Sequence, residues 1–171
     1  MAEIPVPTSF FTFRHLHQRW RDGQLAPGWA SAYPAIFDHD DLRIARNQAH
    51  LGYHYHEWLS AILLYHTRGL LSLVEKYTFR SHERKRRVVE RLCDAASTRF
   101  LLERGRESLV QCPDLLVYRP DLTDWFFCEV KGPNDHIRPE QRDLFSQVEQ
   151  STGKKVYILV LHDTEKRKRA G

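Results

Sequence analysis

The sequence predicts an α/β fold in which a mixed β-sheet is flanked by helices. Three observations carry that expectation. Residues 115–118 and 125–130 are dense in Leu, Val, Phe, Tyr and Trp on either side of a turn, as paired strands covered on both faces would be. Residues 156–161 form another continuous apolar run, which suits a buried strand. Stretches with apolar residues at helical spacing precede, separate and follow these runs, so helices can cover both faces of a sheet.

In order along the chain, residues 1–35 carry Pro5, Pro7, Pro27 and Pro34, which break any long element and predict a helical or irregular extension. Phe10, Phe11, Phe13, Trp20 and Trp29 suit packing of that segment onto the rest. A helix starts near Asp40 or Asp41 and runs to about residue 66, with Gly52 a candidate break and Gly69 its end. Trp58, Leu59, Ile62, Leu63 and Tyr65 give it an apolar face. Residues 70–77 read as a strand. Residues 81–100 read as one helix with Val88, Val89, Leu92, Cys93 and Ala96 on one face and Arg84, Lys85, Arg87 and Arg91 on the other. Pro139 suits a first helical residue, Leu144, Phe145 and Val148 form its stripe, and Gly153 closes it. The expected organisation is an N-terminal extension over 1–40, one domain over 41–165, and a basic tail over 166–171.

With 171 residues, 42% hydrophobic and 28% charged, the chain suits one domain with a sizeable core. A formal charge of +4 favours a polyanionic partner such as nucleic acid. Cys93, Cys112 and Cys128 are odd in number and lack CxxC spacing, so neither a disulfide framework nor a zinc knuckle is expected. Reduced thiols point to the cytoplasm, nucleoid-associated there, or to the nucleus in a eukaryote. No apolar run is long enough to span a bilayer, and no basic region followed by an apolar core opens the chain, so neither a membrane partner nor a secretory signal is expected.

The chemistry concentrates in the hairpin. Arg119-Pro120-Asp121-Leu122-Thr123-Asp124 is rich in turn residues. A hairpin centred between Asp121 and Leu122 pairs Tyr118 with Trp125 and Val117 with Phe126, and so places Asp114 opposite Glu129. Their side chains then lie about 5 Å apart on one face, and Lys131, two residues on, points the same way. Two ionised carboxylates that close repel, unless a cation lies between them or one keeps its proton. A divalent metal satisfies them, with hard oxygen ligands favouring Mg²⁺ or Mn²⁺. A Lys131 salt bridge to either carboxylate, closing the sheet end, satisfies them too.

The spaced motif Pro113-Asp114…Glu129-Val130-Lys131 resembles the core motif of the PD-(D/E)XK nuclease superfamily. The longer run Glu129-Val130-Lys131-Gly132-Pro133-Asn134-Asp135, followed by Arg138-Pro139-Glu140-Gln141, is similar to its VRR-NUC branch, over residues 110–161 and more loosely back to 53. That resemblance implies a restriction-endonuclease-like core and Mg²⁺- or Mn²⁺-dependent cleavage of DNA phosphodiester bonds, with flaps and branched junctions among the substrates, and a possible homodimer. It implies Asp114, Glu129 and the Val130 backbone carbonyl as metal ligands, Lys131 as the catalytic lysine and Gln141 as an active-site residue. The residues themselves also mark Gln141, a polar group heading the Leu144–Phe145–Val148 stripe, although a local bond at the helix start would explain it as well. The superfamily often adds a glutamate from the first helix, for which Glu57, on the face of Ala61 and Leu64, is the candidate ahead of Glu83 and Glu90. The family's glycine before Pro-Asp is here Cys112, and its basic residue after the Asn-Asp pair is His136.

Arg84, Lys85, Arg87 and Arg91, with His136 and Arg138, are the expected phosphate contacts, against a solvated helix face as the alternative for the first four. His54-x-His56 and His15-x-His17 read as solvated surface rather than metal ligands. Two other functions compete with a DNA nuclease: a catalytically silent nucleic-acid-binding module, and an RNA nuclease on the same core.

Overall fold

The alternation of the central hairpin sets the layers of the fold. In the computed structural model, which describes residues 6–106 and 112–164, the chain runs β1 (Ser9–Thr12), α1 (Arg14–Arg21), α2 (Leu25–Ala32), α3 (His39–Leu51), α4 (Tyr55–Arg68), β2 (Leu71–Val74), α5 (Glu83–Leu92), α6 (Ala95–Arg104), β3 (Leu115–Tyr118), β4 (Trp125–Lys131), α7 (Pro139–Thr152) and β5 (Val156–Asp163). The five strands form one sheet in the order β1-β5-β4-β3-β2. β5 is parallel to both its neighbours, while β3 is antiparallel to β2 and β4. The expected mixed sheet flanked by helices is the architecture found, and it agrees with a restriction-endonuclease-like core.

Successive residues of the hairpin feed opposite cores, as a period of two requires. Leu115, Val117, Phe126, Cys128 and Val130 join Trp20, Ile44, Trp58 and Leu64 beneath α1–α4. Leu116, Tyr118, Trp125 and Phe127 join Val89, Leu101, Leu144 and Val148 beneath α5–α7. Tyr118 pairs with Trp125 and Leu115 with Cys128, so the hairpin register is the one expected from the turn.

One expectation needs an addition and two need correction. The N-terminal extension is helical, with α1 and α2 burying Trp20, Leu25 and Ala26, and it also contributes the unforeseen edge strand β1. Pro7 lies outside that strand, and Pro27 sits in the first turn of α2, where its missing N–H costs no helical bond. The strand expected over 70–77 stops at Val74, because Glu75 and Lys76 turn into the left-handed region at φ 45° and 48°. The single helix expected over 81–100 is two, broken where Asp94 accepts from Ser97 N at 2.7 Å and caps α6. The Gly52 break is present, with φ 77°. The basic tail expected over 166–171 lies outside the described residues.

After α6 the chain passes close to the end of β2. A Cβ at Gly105 would fall well inside contact distance of the Thr78 carbonyl oxygen. Gly105→Ala should therefore cost about 1–3 kcal/mol of stability through steric overlap, read as a lower urea midpoint. A midpoint unchanged from the parent would mean that the two segments separate freely.

Candidate active site

The C-terminal end of β4 projects Glu129 and Lys131 towards the start of α7, while Asp114 stands just before β3. Leu115 pairs with Cys128, so one step outward brings Asp114 beside Glu129. The Val130 N–H donates to Asp114 Oδ2 at 2.8 Å and fixes that carboxyl. Lys131 Nζ donates to Glu129 Oε1 at 2.8 Å and to Gln141 Oε1 at 3.2 Å, and Gln141 Nε2 donates to Glu129 Oε1 at 2.6 Å. Gln141 Oε1 also accepts from Arg138 N at 3.1 Å. Gln141 therefore bonds the backbone at its own helix start and contacts the lysine through the same oxygen.

Electrostatics mark the same place. Burial, then the neighbouring charge of Glu129 and of Glu57, raise Asp114 well above the usual carboxylate range. Burial raises Glu129 as well, although Lys131 pulls against it. Burial disfavours the Lys131 ammonium, but Glu129 outweighs it and the net shift is upward. Burial and mutual repulsion thus make the carboxylate pair resist ionisation, while the charge of Lys131 is favoured beside it.

A second group of side chains adjoins this one. His54 caps α4 in the left-handed region at φ 61°, its Nδ1 paired with Glu75 and 3.5 Å from Glu57 Oε1. Burial opposes its charge, but Glu57 and Glu75 prevail and push His54 up to about 10. Gln48 Nε2 holds Glu75 Oε2 at 3.0 Å, and Trp58 Nε1 holds Gln48 Oε1 at 2.7 Å. His54, Glu57 and Glu75 bring their ligand atoms within 4.8 Å of one another. Nearby, His56 packs so close that a Cβ on Gly132 would come within 2.9 Å of its ring. His17 stacks on Tyr55 at 4.8 Å and meets His56 edge-on at 5.3 Å. Burial lowers both histidines.

Sequence reasoning missed Glu75, concealed at the end of an apolar run, and misjudged His54, His56 and His17 as solvated. A weak signal existed for the first two, since His54-x-His56 opens the helix that carries Glu57.

The expected phosphate face on α5 is largely committed elsewhere. Lys85 is fully buried and cannot reach a phosphate. Its Nζ donates to the carbonyls of Val74 and Glu75, the latter at 2.9 Å, and pairs with Asp41 at 3.0 Å. Arg84 holds Asp41 at 2.6 Å and the Ile36 carbonyl at 2.8 Å, and Arg87 pairs with Glu83. Arg91 is exposed, as are His136 and Arg138 beside the start of α7. A further cluster of Asp38, Asp41 and His82 could hold a metal by its spacing, but Arg84 and Lys85 already supply positive charge to it. No helix among the described residues is long and apolar enough to cross a membrane.

The donor set at the sheet end suits a hard divalent cation: Asp114 and Glu129 offer carboxyl oxygens side by side, with Glu57 close enough to act on Asp114. Among known families, the model for the VRR-NUC domain matches residues 53–160, which include Asp114, Glu129, Lys131 and Gln141 as well as His54, Glu57 and Glu75. No curated protein and no solved structure matches the chain.

Proposed function

This chain belongs to the VRR-NUC domain family, and on that premise we propose that it is an Mg²⁺- or Mn²⁺-dependent endonuclease acting on structured or branched DNA, flaps included. Membership carries a nuclease-type function with DNA as the class of partner. The observation that supports the finer reading is the convergence of Asp114, Glu129, Lys131 and Gln141 at one sheet end. Asp114, Glu129 and the Val130 carbonyl would hold the metal, with Glu57 joining them. When bound, the metal supplies an acidified water and positive charge against a phosphate oxygen.

The chain's own groups divide the remaining work. Lys131 is held as an ammonium by Glu129, so its role is to orient the attacking water and stabilise developing negative charge rather than to remove a proton. Gln141 keeps that ammonium in place through its carbonyl and steadies Glu129 through its amide. His136 and Arg138, exposed at the entrance to α7, suit contacts to the DNA backbone.

The test is incubation of supercoiled and branched DNA with Mn²⁺, beside Lys131→Ala. The expected result is cleavage by the unmodified chain and a loss of about 10²–10³-fold in the variant, as for removal of one charge-stabilising group. No cleavage by the unmodified chain would favour a silent binding module. Equal cleavage by both would place the site elsewhere, and cleavage confined to parallel RNA substrates would make the enzyme an RNA nuclease.

A further inference from the structure

We propose that the cavity beside Asp114 is a subsite for a single unpaired nucleotide of a DNA strand, with the base against Phe79 and the phosphate between Lys76 and Arg106. The cavity encloses about 370 Å³ and is lined by Lys76, Tyr77, Phe79, Arg106, Cys112 and Asp114 among others. That volume lies at the small end of ligand sites, enough for one base and too little for a base pair. Asp114 belongs to its wall, so a nucleotide seated there leaves its neighbouring phosphodiester at the carboxylates.

The walls have the chemistry of a nucleotide. Phe79 is 40% exposed, one of few large apolar side chains so placed, and an aromatic ring accepts any base by stacking. Lys76 and Arg106 are exposed and enter no ion pair among the described residues. Arg84, Arg86, Arg87, Lys131 and Lys154, by contrast, are each matched to a carboxylate. Two cations that pair with no carboxylate among the described residues, beside a partly exposed ring, are complementary to phosphate and base together.

The cavity is also held open by construction. Lys76 keeps a left-handed backbone at φ 48°, a conformation that non-glycine residues retain where their surroundings enforce it. The Lys85 ammonium grips the preceding carbonyls of Val74 and Glu75, and Tyr77 Oη donates to the Pro113 carbonyl at 2.5 Å. The missing side chain of Gly105 lets the opposite wall meet Thr78. Cys112 and Pro113, next to Asp114, complete the same wall.

The subsite deepens the nuclease reading and rests on it for its use, though not for binding itself. Binding is measured with the full chain carrying Lys131→Ala, so that the strand stays intact. The probe is a single-stranded oligonucleotide with 2-aminopurine at successive positions, in Mn²⁺. One position should change fluorescence on binding, Phe79→Leu should weaken binding about ten- to hundredfold, and Phe79→Trp should retain it. An abasic residue at that position should weaken binding to the Phe79 chain and leave the Phe79→Leu chain unaffected. Equal affinity of Phe79→Leu and its parent, or of abasic and intact strands for the Phe79 chain, would overturn the subsite. Mn²⁺ cleavage by the chain that keeps Lys131, run in parallel, separates the two readings. Cleavage without Phe79-dependent binding sinks the subsite alone, and Phe79-dependent binding without cleavage sinks the nuclease and leaves the subsite.

Discussion

Asp114→Asn should remove Mn²⁺-dependent cleavage, by on the order of 10³-fold or more, because it takes away the charge of a carboxylate proposed to hold the metal. The same substitution should make the metal-free protein more stable at neutral pH, by about 1–3 kcal/mol, since a buried group that resists ionisation becomes one that never ionises. Asparagine keeps a carbonyl oxygen to accept from Val130 N, so the bond that fixes the side chain survives. The sign of the pH dependence is set by the direction of the Asp114 shift. Burial, Glu129 and Glu57 hold its folded value above the ordinary carboxylate range. Its contribution is therefore fully present below the unfolded value near 4 and is lost as pH rises through the folded one. The variant lacks that loss, so its advantage in Tm should widen as pH climbs from about 4. Mn²⁺ should reverse the ranking by raising the Tm of the parent and not of the variant, because a ligand stabilises only the state that binds it. A variant equal to or less stable than its parent between about pH 5 and 8 would mean that Asp114 is not electrostatically frustrated in the free protein.

The parts of this site that the sequence discloses are those fixed by local rules. Tyr118 pairs with Trp125 because a cluster of turn residues between two strand-forming runs fixes where the hairpin folds back, and that register carries Asp114 to Glu129. Pro139 and Gly153 bound α7 and so place Gln141 in its first turn. What stayed hidden depends on contacts distant in sequence. Edge strand β1 is four residues long and acquires strand character only by pairing in parallel with β5. Glu75 looks like the continuation of an apolar strand until its backbone turns left-handed and Gln48, from α3, captures its carboxylate. Lys85 stands in a basic run on a helix, where the ordinary expectation is exposure. Only the folded chain reveals the buried acceptors that draw it inward.

Those acceptors make Lys85→Met the substitution with the largest expected effect on stability. Lys85 Nζ is the donor to the carbonyls of Val74 and Glu75, pairs with Asp41 Oδ1 at 3.0 Å, and lies 5.9 Å over the Trp58 ring. Burial lowers its pKa, even though Asp41 opposes the change, so the ammonium is maintained at a cost that its partners offset. Methionine fills the volume and leaves Asp41, itself fully buried, with less compensating charge, a defect worth about 3–5 kcal/mol. The acid limb of stability should report the mechanism. Burial tends to raise Asp41, but His82, Lys85 and Arg84 together hold it far below the usual carboxylate range. Its stabilisation is present above the unfolded value and is lost as pH falls towards the folded one. Without Lys85 that depression shrinks, so the difference in stability between parent and variant should be largest near neutrality and narrow in acid. Adding Asp41→Asn should then cost less in Lys85→Met than in the parent, because the two side chains share one interaction. The Glu75 N–H also donates to the Asp114 carbonyl at 2.8 Å, so releasing the Glu75 carbonyl should loosen the site as well as the fold. Cleavage per folded molecule should fall in Lys85→Met, measured at a temperature where circular dichroism shows the variant fully folded. If the destabilisation is the same at every pH, Lys85 acts through packing alone and the ion pair with Asp41 is not what holds the end of β2 in place.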